Sequence, residues 1–142
     1  MKHLVSIFII LTCFAFTCEK QDENCFVGSH NGLTIKNTSS RTINYEFYWN
    51  YPDTLITDSR SPISDKPIDP GMSMVRGAGP GSCWESVFLS SPDQKQWIYF
   101  FDRDSLEQIP WDVVRQTNRG ILERRLLSLD SLKKTDFTVI YR

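Results

Sequence analysis

Ile43-Asn44-Tyr45-Glu46-Phe47-Tyr48-Trp49 is the stretch of sequence that decides the fold. Its apolar and aromatic side chains alternate with polar or amphipathic ones, which is the period of a half-buried β-strand. The alternation places four large side chains on one face of that strand, namely Ile43, Tyr45, Phe47 and Trp49. The stretch therefore predicts a strand with one face packed against apolar neighbours.

Further strands are predicted on both sides of this stretch. Residues 33–38 precede it after a short polar break, and the two segments together predict a β-hairpin. Residues 97–101 are apolar on both faces, which is typical of a central strand covered on either side. The remaining predicted strands are a short one at 72–75, after a turn at 68–71, and two longer ones at 121–127 and 137–141.

Short helices are predicted between the strands. Residues 82–85 have the spacing of a capping box, and residues 104–107 repeat the same start signal. Residues 110–118 begin with proline and predict a further helix, with Gly120 at its left-handed end. Ser128 is expected to cap one last helical turn. The predicted fold class is mainly β, a single-domain antiparallel β-sandwich with short interspersed helices.

The N-terminal segment predicts export. An apolar run at 4–17 has the length of a signal-peptide core and falls short of the roughly twenty residues that a membrane-spanning helix needs. Ala15-Phe16-Thr17-Cys18 resembles the lipobox of bacterial lipoproteins, which implies cleavage before Cys18 and acylation of its thiol. Ordinary signal-peptide cleavage and an uncleaved anchor are the alternatives. We expect a lipoprotein-type signal peptide at 1–17, an acidic tether at 18–25 and a β-rich domain at 26–142.

The acidic residues behind Cys18 carry a second resemblance. Glu19, Asp22 and Glu23, together with Lys20, resemble the surface-export signal of lipoproteins in Bacteroides-type Gram-negative bacteria. The resemblance implies a palmitate-bearing protein that is lipid-anchored in the outer membrane and exposed at the cell surface. The membrane is then the expected partner, because each buried methylene of an acyl chain contributes about 0.8 kcal/mol. A solvated tether without export information is the alternative.

The cysteines predict one disulfide. Of Cys13, Cys18, Cys25 and Cys83, the first leaves with the signal peptide and the second carries lipid. The two remaining thiols in an oxidising compartment favour a Cys25–Cys83 bond, which is worth roughly 4 kcal/mol for a loop of about sixty residues. Two separate buried thiols are the alternative. A zinc site is disfavoured, because zinc takes four ligands and the mature chain holds one histidine, His30.

Composition excludes some classes of function. The chain has 142 residues, 40% of them hydrophobic and 13% aromatic, which is enough to bury a core. Its formal net charge of −1 predicts no binding to nucleic acid or to an anionic bilayer surface. The glycine-rich residues 77–81 lack the Lys-Ser or Lys-Thr of a phosphate-binding loop, and His30 in a predicted turn makes a poor catalytic base. We assign no catalytic residue, metal or cofactor.

Several segments of the mature chain form a distinctive set of motifs. They are 50–55, Trp84-Glu85-x-x-Phe88, the run from 101 through 110–112 to 121–122, Leu129-Asp130-x-Leu132, and Tyr141. Together they resemble a group of small lipoproteins of unknown function that are common in Bacteroides-type gut bacteria, and the resemblance covers most of the mature chain. The sequence departs from the family pattern at 124–126, where an aromatic is more usual, and at Arg142. The resemblance implies a fold and an envelope location, and it brings no known catalytic residues.

Three tripeptides carry one more resemblance. Each has aspartate, then serine or threonine, then leucine, and so resembles the acceptor for protein O-glycosylation in Bacteroides-type bacteria: they are 53–55, 104–106 and 130–132. The resemblance implies sugars on Thr54, Ser105 and Ser131, which would add bulk and solubility on exposed turns. Helix capping by the Asp-Ser pairs is the alternative explanation.

Two classes of function remain open from the sequence. The preferred hypothesis is a non-enzymatic surface module that binds a glycan or a partner protein. Tyr48, Trp49 and Tyr51 are aromatics that could stack on sugars, although core packing is the favoured interpretation. The alternative is a carboxylate-based envelope hydrolase that uses Asp102, Asp104 or Glu85. Two carboxylates about 5 to 9 Å apart in an open cleft would favour the enzyme, and an exposed aromatic platform would favour binding.

Overall fold

In the computed structural model, which describes residue 25 and residues 28–142, six strands form two separate three-stranded sheets. The strands are β1 (Gly32–Asn37), β2 (Ile43–Tyr48), β3 (Ser73–Gly77), β4 (Lys95–Asp102), β5 (Ile121–Ser128) and β6 (Thr138–Tyr141). Four α-helices lie between them: α1 (Trp84–Leu89), α2 (Arg103–Gln108), α3 (Trp111–Thr117) and α4 (Leu129–Lys134). Two short 3-10 turns lie at Pro62–Ser64 and Pro92–Gln94.

The predicted signal peptide at 1–17, the lipid attachment site Cys18 and most of the tether at 18–25 lie outside the described residues. Within the described part of the chain, no helix has the length and apolar character needed to cross a membrane.

The strand order is β3-β1-β6 in the first sheet and β2-β4-β5 in the second. All neighbouring pairs are antiparallel except β1 and β6, which are parallel. The structure thus contains two sheets in which antiparallel pairing dominates, together with the short interspersed helices that the sequence predicts. The parallel pair departs from the predicted all-antiparallel pattern, because the helical segment α4 turns the chain before its last strand.

The larger hydrophobic core combines side chains from both sheets and from two helices. Its buried members include Leu33, Ile35 and Val139 from the first sheet, Ile43, Phe47, Ile98 and Phe100 from the second, and Trp84, Phe88, Leu129 and Leu132 from α1 and α4. A smaller core lies on the other face of β4, where Tyr99 and Phe101 pack against Ile56, Leu106 and Val114. The prediction that 97–101 is covered on both faces is thus confirmed.

The predicted hairpin between 33–38 and 43–49 is wrong. β1 pairs with β3 and β6, so both of its edges are occupied, and β2 belongs to the other sheet. The side chain of Asn37 explains the change of direction, because its amide nitrogen donates to Arg41 O at 2.6 Å and to Ile68 O at 2.9 Å. These bonds turn the chain out of the first sheet before β2 begins.

Two of the predicted helix starts are shifted. The N-cap of α1 is Cys83, with no side-chain cap bond, because Glu85 binds His30 instead of closing a capping box. The N-cap of α2 is Asp102, whose carboxylate accepts from the Ser105 amide at 3.1 Å. The cap predicted at Ser128 is confirmed: its hydroxyl and that of Ser131 form a reciprocal capping box at α4.

The helix predicted at 110–118 is present as α3. Pro110 is its N-cap rather than its first residue, and Asn118 holds the left-handed position at its end with φ 61°. Gly120, which we expected in that role, follows with φ 84° and leads into β5.

The predicted disulfide between Cys25 and Cys83 is present in the structure, with a Cα–Cα distance of 5.7 Å. Cys83 is fully buried at the start of α1. The bond therefore ties the beginning of the described chain to the helix that covers one end of the larger core.

Candidate functional site

An open cleft of about 640 Å³ lies along the edge of β2 that is not paired with β4. One wall consists of β2 and the residues after it, and the other is the loop at 57–60. The residues that line it are Glu46, Phe47, Tyr48, Trp49, Asn50, Thr57, Asp58 and Arg60. We call this site the Trp49 cleft.

Trp49 supplies a large exposed aromatic surface to the cleft. Its side chain is 53% exposed, whereas Phe47, two residues earlier on the same predicted face, is 6% exposed. β2 ends at Tyr48, so Trp49 leaves the alternation that would have buried it. The expectation that Trp49 joins the inner face is therefore wrong. An exposed indole beside polar groups can stack on the apolar face of a ligand and bind its polar edge at the same time.

The polar wall of the cleft is built around Arg60. Its guanidinium lies 3.3 Å from the carboxylate of Glu46 and 3.4 Å from that of Asp65. Its backbone amide donates to the Asp58 carboxylate at 2.8 Å. The Glu46 side chain is 13% exposed, and burial raises its pKa against the opposing effect of a bond from the Phe47 amide. The wall thus offers several carboxylate oxygens, while its one guanidinium is already paired.

Two buried polar atoms beside the cleft have no hydrogen-bond partner among the described residues. They are the hydroxyl of Tyr48 and the side-chain oxygen of Asn50. Burial raises the pKa of the Tyr48 phenol, and its ring packs on Tyr99 with centroids 4.7 Å apart.

The three aromatics singled out from the sequence have different positions. Tyr48 is buried, which agrees with the favoured interpretation of core packing. Tyr51 is half-buried, where it packs on Trp97 and lies 5.3 Å from the ammonium of Lys95. Trp49 alone of the three presents most of its surface to solvent.

Of the three carboxylates named for a hydrolase, Asp102 and Asp104 share a cleft and Glu85 lies apart from them. Asp102 caps α2 and lies 3.7 Å from the guanidinium of Arg41, and Asp104 is exposed. Both line a small polar cleft of about 310 Å³, to which Glu85 does not contribute. Glu85 lies on α1 and is bound to His30.

His30 is held between two carboxylates. Its Nδ1 lies 2.7 Å from Glu85, its Nε2 lies 3.3 Å from Asp136, and its backbone amide also donates to Glu85. The ring stacks on Phe137 with centroids 4.0 Å apart. The hydrogen bond with Glu85 raises the pKa of His30 against a smaller desolvation effect. Since both ring nitrogens face carboxylates, the arrangement is not that of a base directed at a serine.

The three predicted O-glycosylation acceptors differ in their surroundings. Thr54 lies exposed in the loop after β2, and its hydroxyl makes no hydrogen bond among the described residues. The Ser105 hydroxyl donates to Asp102 at 2.6 Å, and the Ser131 hydroxyl donates to the Ser128 carbonyl at 2.8 Å. Both serine hydroxyls are therefore engaged at helix N-termini, with Asp102 and Ser128 as the N-caps, whereas the Thr54 side chain is exposed to solvent.

Over residue 25 and residues 28–142, no three His, Cys, Asp or Glu side chains are grouped to hold a metal ion. Comparison with protein-family models, with curated proteins and with solved structures gave no match to this chain.

Proposed function

We propose that the protein is a non-enzymatic binding module that holds a glycan in the Trp49 cleft. The observation that carries the proposal is the exposed indole of Trp49 next to the carboxylates of Glu46 and Asp58. A pyranose ring has an apolar face that stacks on an indole and hydroxyls that donate to carboxylates. The cleft offers both kinds of contact within one open site.

The charges of the cleft favour a neutral glycan. The cleft is lined by two carboxylates, those of Glu46 and Asp58, and by one guanidinium, that of Arg60. The Arg60 guanidinium is already paired with Glu46 and Asp65. An anionic sugar would meet more carboxylates than guanidinium groups, and it would have to displace an ion pair of Arg60 in order to bind that guanidinium. A neutral sugar is not repelled by the carboxylates and does not have to displace the ion pair, because its hydroxyls donate hydrogen bonds to the carboxylates.

The location and the fold belong to the same proposal. Cys18, with its lipobox-like surroundings, supports a lipid anchor in the outer membrane with the domain at the cell surface. The resemblance to small Bacteroides-type lipoproteins supports the same location. The larger core, which combines side chains of both sheets, supports a single-domain β-sandwich decorated with helices.

The test of binding is a glycan array that carries neutral and uronate-containing oligosaccharides, probed with the full-length protein in mild detergent. We expect neutral glycans to bind, and Trp49→Ala to weaken that binding by about tenfold or more, with an unchanged melting temperature. Met72→Ala is the matched control, because Met72 is 59% exposed and lies outside the cleft. Binding that survives Trp49→Ala, or an array without any bound glycan, would refute the proposal.

A carboxylate-based envelope hydrolase remains the alternative, and one observation favours it in this cleft. The pKa of Glu46 is raised by burial, as a general acid requires, and Asp58 lies in the same cleft. The bound glycan is therefore incubated with the protein and assayed for new reducing ends. Turnover that is lost in Glu46→Gln, with binding retained, would establish the hydrolase in place of the binding module.

The anchor is tested on protein purified from its native membrane. The mature chain should begin at an acylated Cys18 and enter the detergent phase on phase separation, whereas Cys18→Ser should enter the aqueous phase. Mass spectrometry of the same material tests O-glycosylation: we expect hexose on the peptide that contains Thr54. Unmodified peptides at Thr54, Ser105 and Ser131 would rule the modification out.

A further inference from the structure

Strands β5 and β6 each leave one edge without a strand partner among the described residues. β6 bonds to β1, since the Thr34 amide donates to Phe137 O at 2.9 Å and the Thr38 amide to Tyr141 O at 2.8 Å. Because backbone groups alternate along a strand, the amide and carbonyl of Ile140 face away from β1. β6 therefore has an outward edge, with a backbone donor and acceptor at Ile140.

The outward edge of β5 is identified in the same way. The Asp102 amide donates to Gly120 O at 2.9 Å, so the even-numbered residues of β4 face β5. Their partners in the register are Glu123, Arg125 and Leu127, which leaves the backbone groups of Arg124 and Leu126 facing outward. Both sheets thus end in an unpaired edge.

These two edges border one groove of about 740 Å³. The residues that line it include Leu126, Leu127, Leu132, Val139 and Ile140, together with Ser131 of α4 and its C-cap Thr135. Leu127, Leu132 and Val139 are members of the larger core, so the groove gives access to its side. We call it the β5–β6 groove.

Arg125 spans this groove. Its guanidinium donates to the carbonyl of Ile140 at 2.7 Å, pairs with Glu123 at 2.7 Å, and lies 5.5 Å from the ring centre of Phe100. A side-chain donor therefore occupies a position on the β6 edge that a neighbouring strand would fill with a backbone N–H.

The opposite edges of the two sheets are joined more closely. Ile43 of β2 forms a bridge with Ile68, with backbone bonds of 3.1 and 2.8 Å in the two directions. The Tyr45 hydroxyl lies 3.5 Å from the sulfur of Met74 on β3. On that side main-chain bonds tie β2 to the segment that leads into β3, whereas at the β5–β6 groove the Arg125 side chain reaches from β5 to β6.

We propose that the β5–β6 groove binds an extended strand of a partner protein, which displaces the Arg125 guanidinium from the Ile140 carbonyl and pairs with the outward edge of β6. Alternate apolar side chains of that strand enter the groove and contact Leu127, Leu132 and Val139. This is strand addition to an exposed sheet edge, in which main-chain bonds supply affinity and the alternate side chains supply specificity.

The charge of the groove defines the partner further. Arg125 and Arg142 line the groove with Glu123 as the one carboxylate among the lining residues, and the adjoining α4 exposes Lys133 and Lys134 against one carboxylate, Asp130. The surplus of positive charge favours an incoming strand that carries carboxylates near its ends. The groove shares no lining residue with the Trp49 cleft, so this site is independent of glycan binding.

The binding test uses a fluorescent octapeptide, Asp-Val-Thr-Val-Thr-Val-Thr-Asp, and fluorescence anisotropy with the full-length protein. We expect saturable binding, with a loss of about tenfold or more when alternate peptide amides are N-methylated, because methylation removes the main-chain donors. Lysine in place of both aspartates should weaken binding severalfold at low salt. No saturation at millimolar peptide, or equal affinity after N-methylation, would overturn the proposal.

Protein variants locate the site. Leu126→Asp introduces a charge into the groove at a residue that is 36% exposed, and it should abolish peptide binding. Val75→Asp is the matched control, because Val75 is a strand residue that is 66% exposed and lies outside the groove. The Ile140 amide should gain protection from hydrogen exchange when the peptide binds. Equal affinity of both variants, or an unchanged Ile140 amide, would place the peptide elsewhere and refute the assignment.

Discussion

At the scale of single residues, His30 shows how a side chain with little sequence signal acquires a structural role. It connects α1, through Glu85, to the turn after α4, through Asp136. Asp136 and Phe137 both have positive φ values, 48° and 50°, so this turn holds residues in an uncommon conformation. The imidazole lies against both of them, and its protonated form can donate to both carboxylates at once.

We predict that this contact makes stability depend on pH. The pKa of His30 is higher in the folded protein than in the unfolded chain, where it is about 6.5. The contribution of His30 to the free energy of unfolding is therefore complete below that unfolded pKa and is lost as pH rises through the folded pKa. The pKa of Glu85 is lowered, because the hydrogen bonds from His30 outweigh the effect of desolvation on the carboxylate. The contribution of Glu85 to the free energy of unfolding is therefore lost only as pH falls into the acid range. Urea denaturation should give a lower free energy of unfolding at pH 8.5 than at pH 5.5, and His30→Gln should remove this difference. The same change in the free energy of unfolding between the two pH values in His30→Gln and in the wild type would contradict the prediction.

The sequence could identify part of the candidate site and not the rest. The sequence marks Trp49 as an aromatic residue that could stack on a sugar. Its exposure depends on where β2 ends, and the alternation of polar and apolar side chains does not define that end. Glu46 and Arg60 meet across 14 positions of the chain, and their pairing follows from the path of the loop rather than from any local pattern. Tertiary contacts of this kind leave no periodic signal.

At the scale of elements, the junction between α3 and β5 depends on a glycine. Gly120 has φ 84°, and a Cβ atom added there would lie 3.0 Å from the Cβ of Ser105 on α2. Gly71, in the turn before β3, has a similar φ of 78° but no atom within 4 Å of an added Cβ. A comparison of the two glycines therefore distinguishes the cost of a left-handed backbone conformation from the cost of a steric contact.

We predict that Gly120→Ala destabilises the protein more than Gly71→Ala. Gly71→Ala should cost about 1 kcal/mol from the left-handed backbone alone, and Gly120→Ala about 2–3 kcal/mol because a clash adds to it. Chemical denaturation of the two variants beside the wild type measures the difference. Equal losses in both would show that the contact with Ser105 carries no energy.

The strands themselves were predictable because their patterns are local. Residues 97–101 are apolar on both faces, and the observed β4 extends that segment to Lys95–Asp102 between two cores. The pairing of strands was not predictable in the same way. The hairpin expected from the short break at 39–41 fails because Asn37 binds carbonyls of Arg41 and Ile68, a long-range contact that redirects the chain.

At the scale of the whole molecule, the disulfide fixes the start of the described chain. It spans a sequence separation of 58 residues and joins Cys25 to the buried Cys83. The sequence identified this bond by elimination among its cysteines, without information on distance.

We predict that Cys25→Ser with Cys83→Ser lowers the free energy of unfolding by about 2–5 kcal/mol, chiefly because the unfolded chain gains freedom. Thermal unfolding of the oxidised wild type and the double variant measures the loss. Cys18→Ser is the control and should unfold like the wild type. A double variant as stable as the wild type would show that the bond adds nothing beyond the packing around Cys83.

The parallel contact between β1 and β6 has a consequence for synthesis. β1 is the middle strand of its sheet, and one of its two neighbours, Thr138–Tyr141, lies far along the chain from it. A nascent polypeptide lacks the segment that completes this sheet until the ribosome has passed that strand, and long-range strand pairing of this kind forms slowly. β1 therefore stays without one of its two neighbours until β6 has been synthesised.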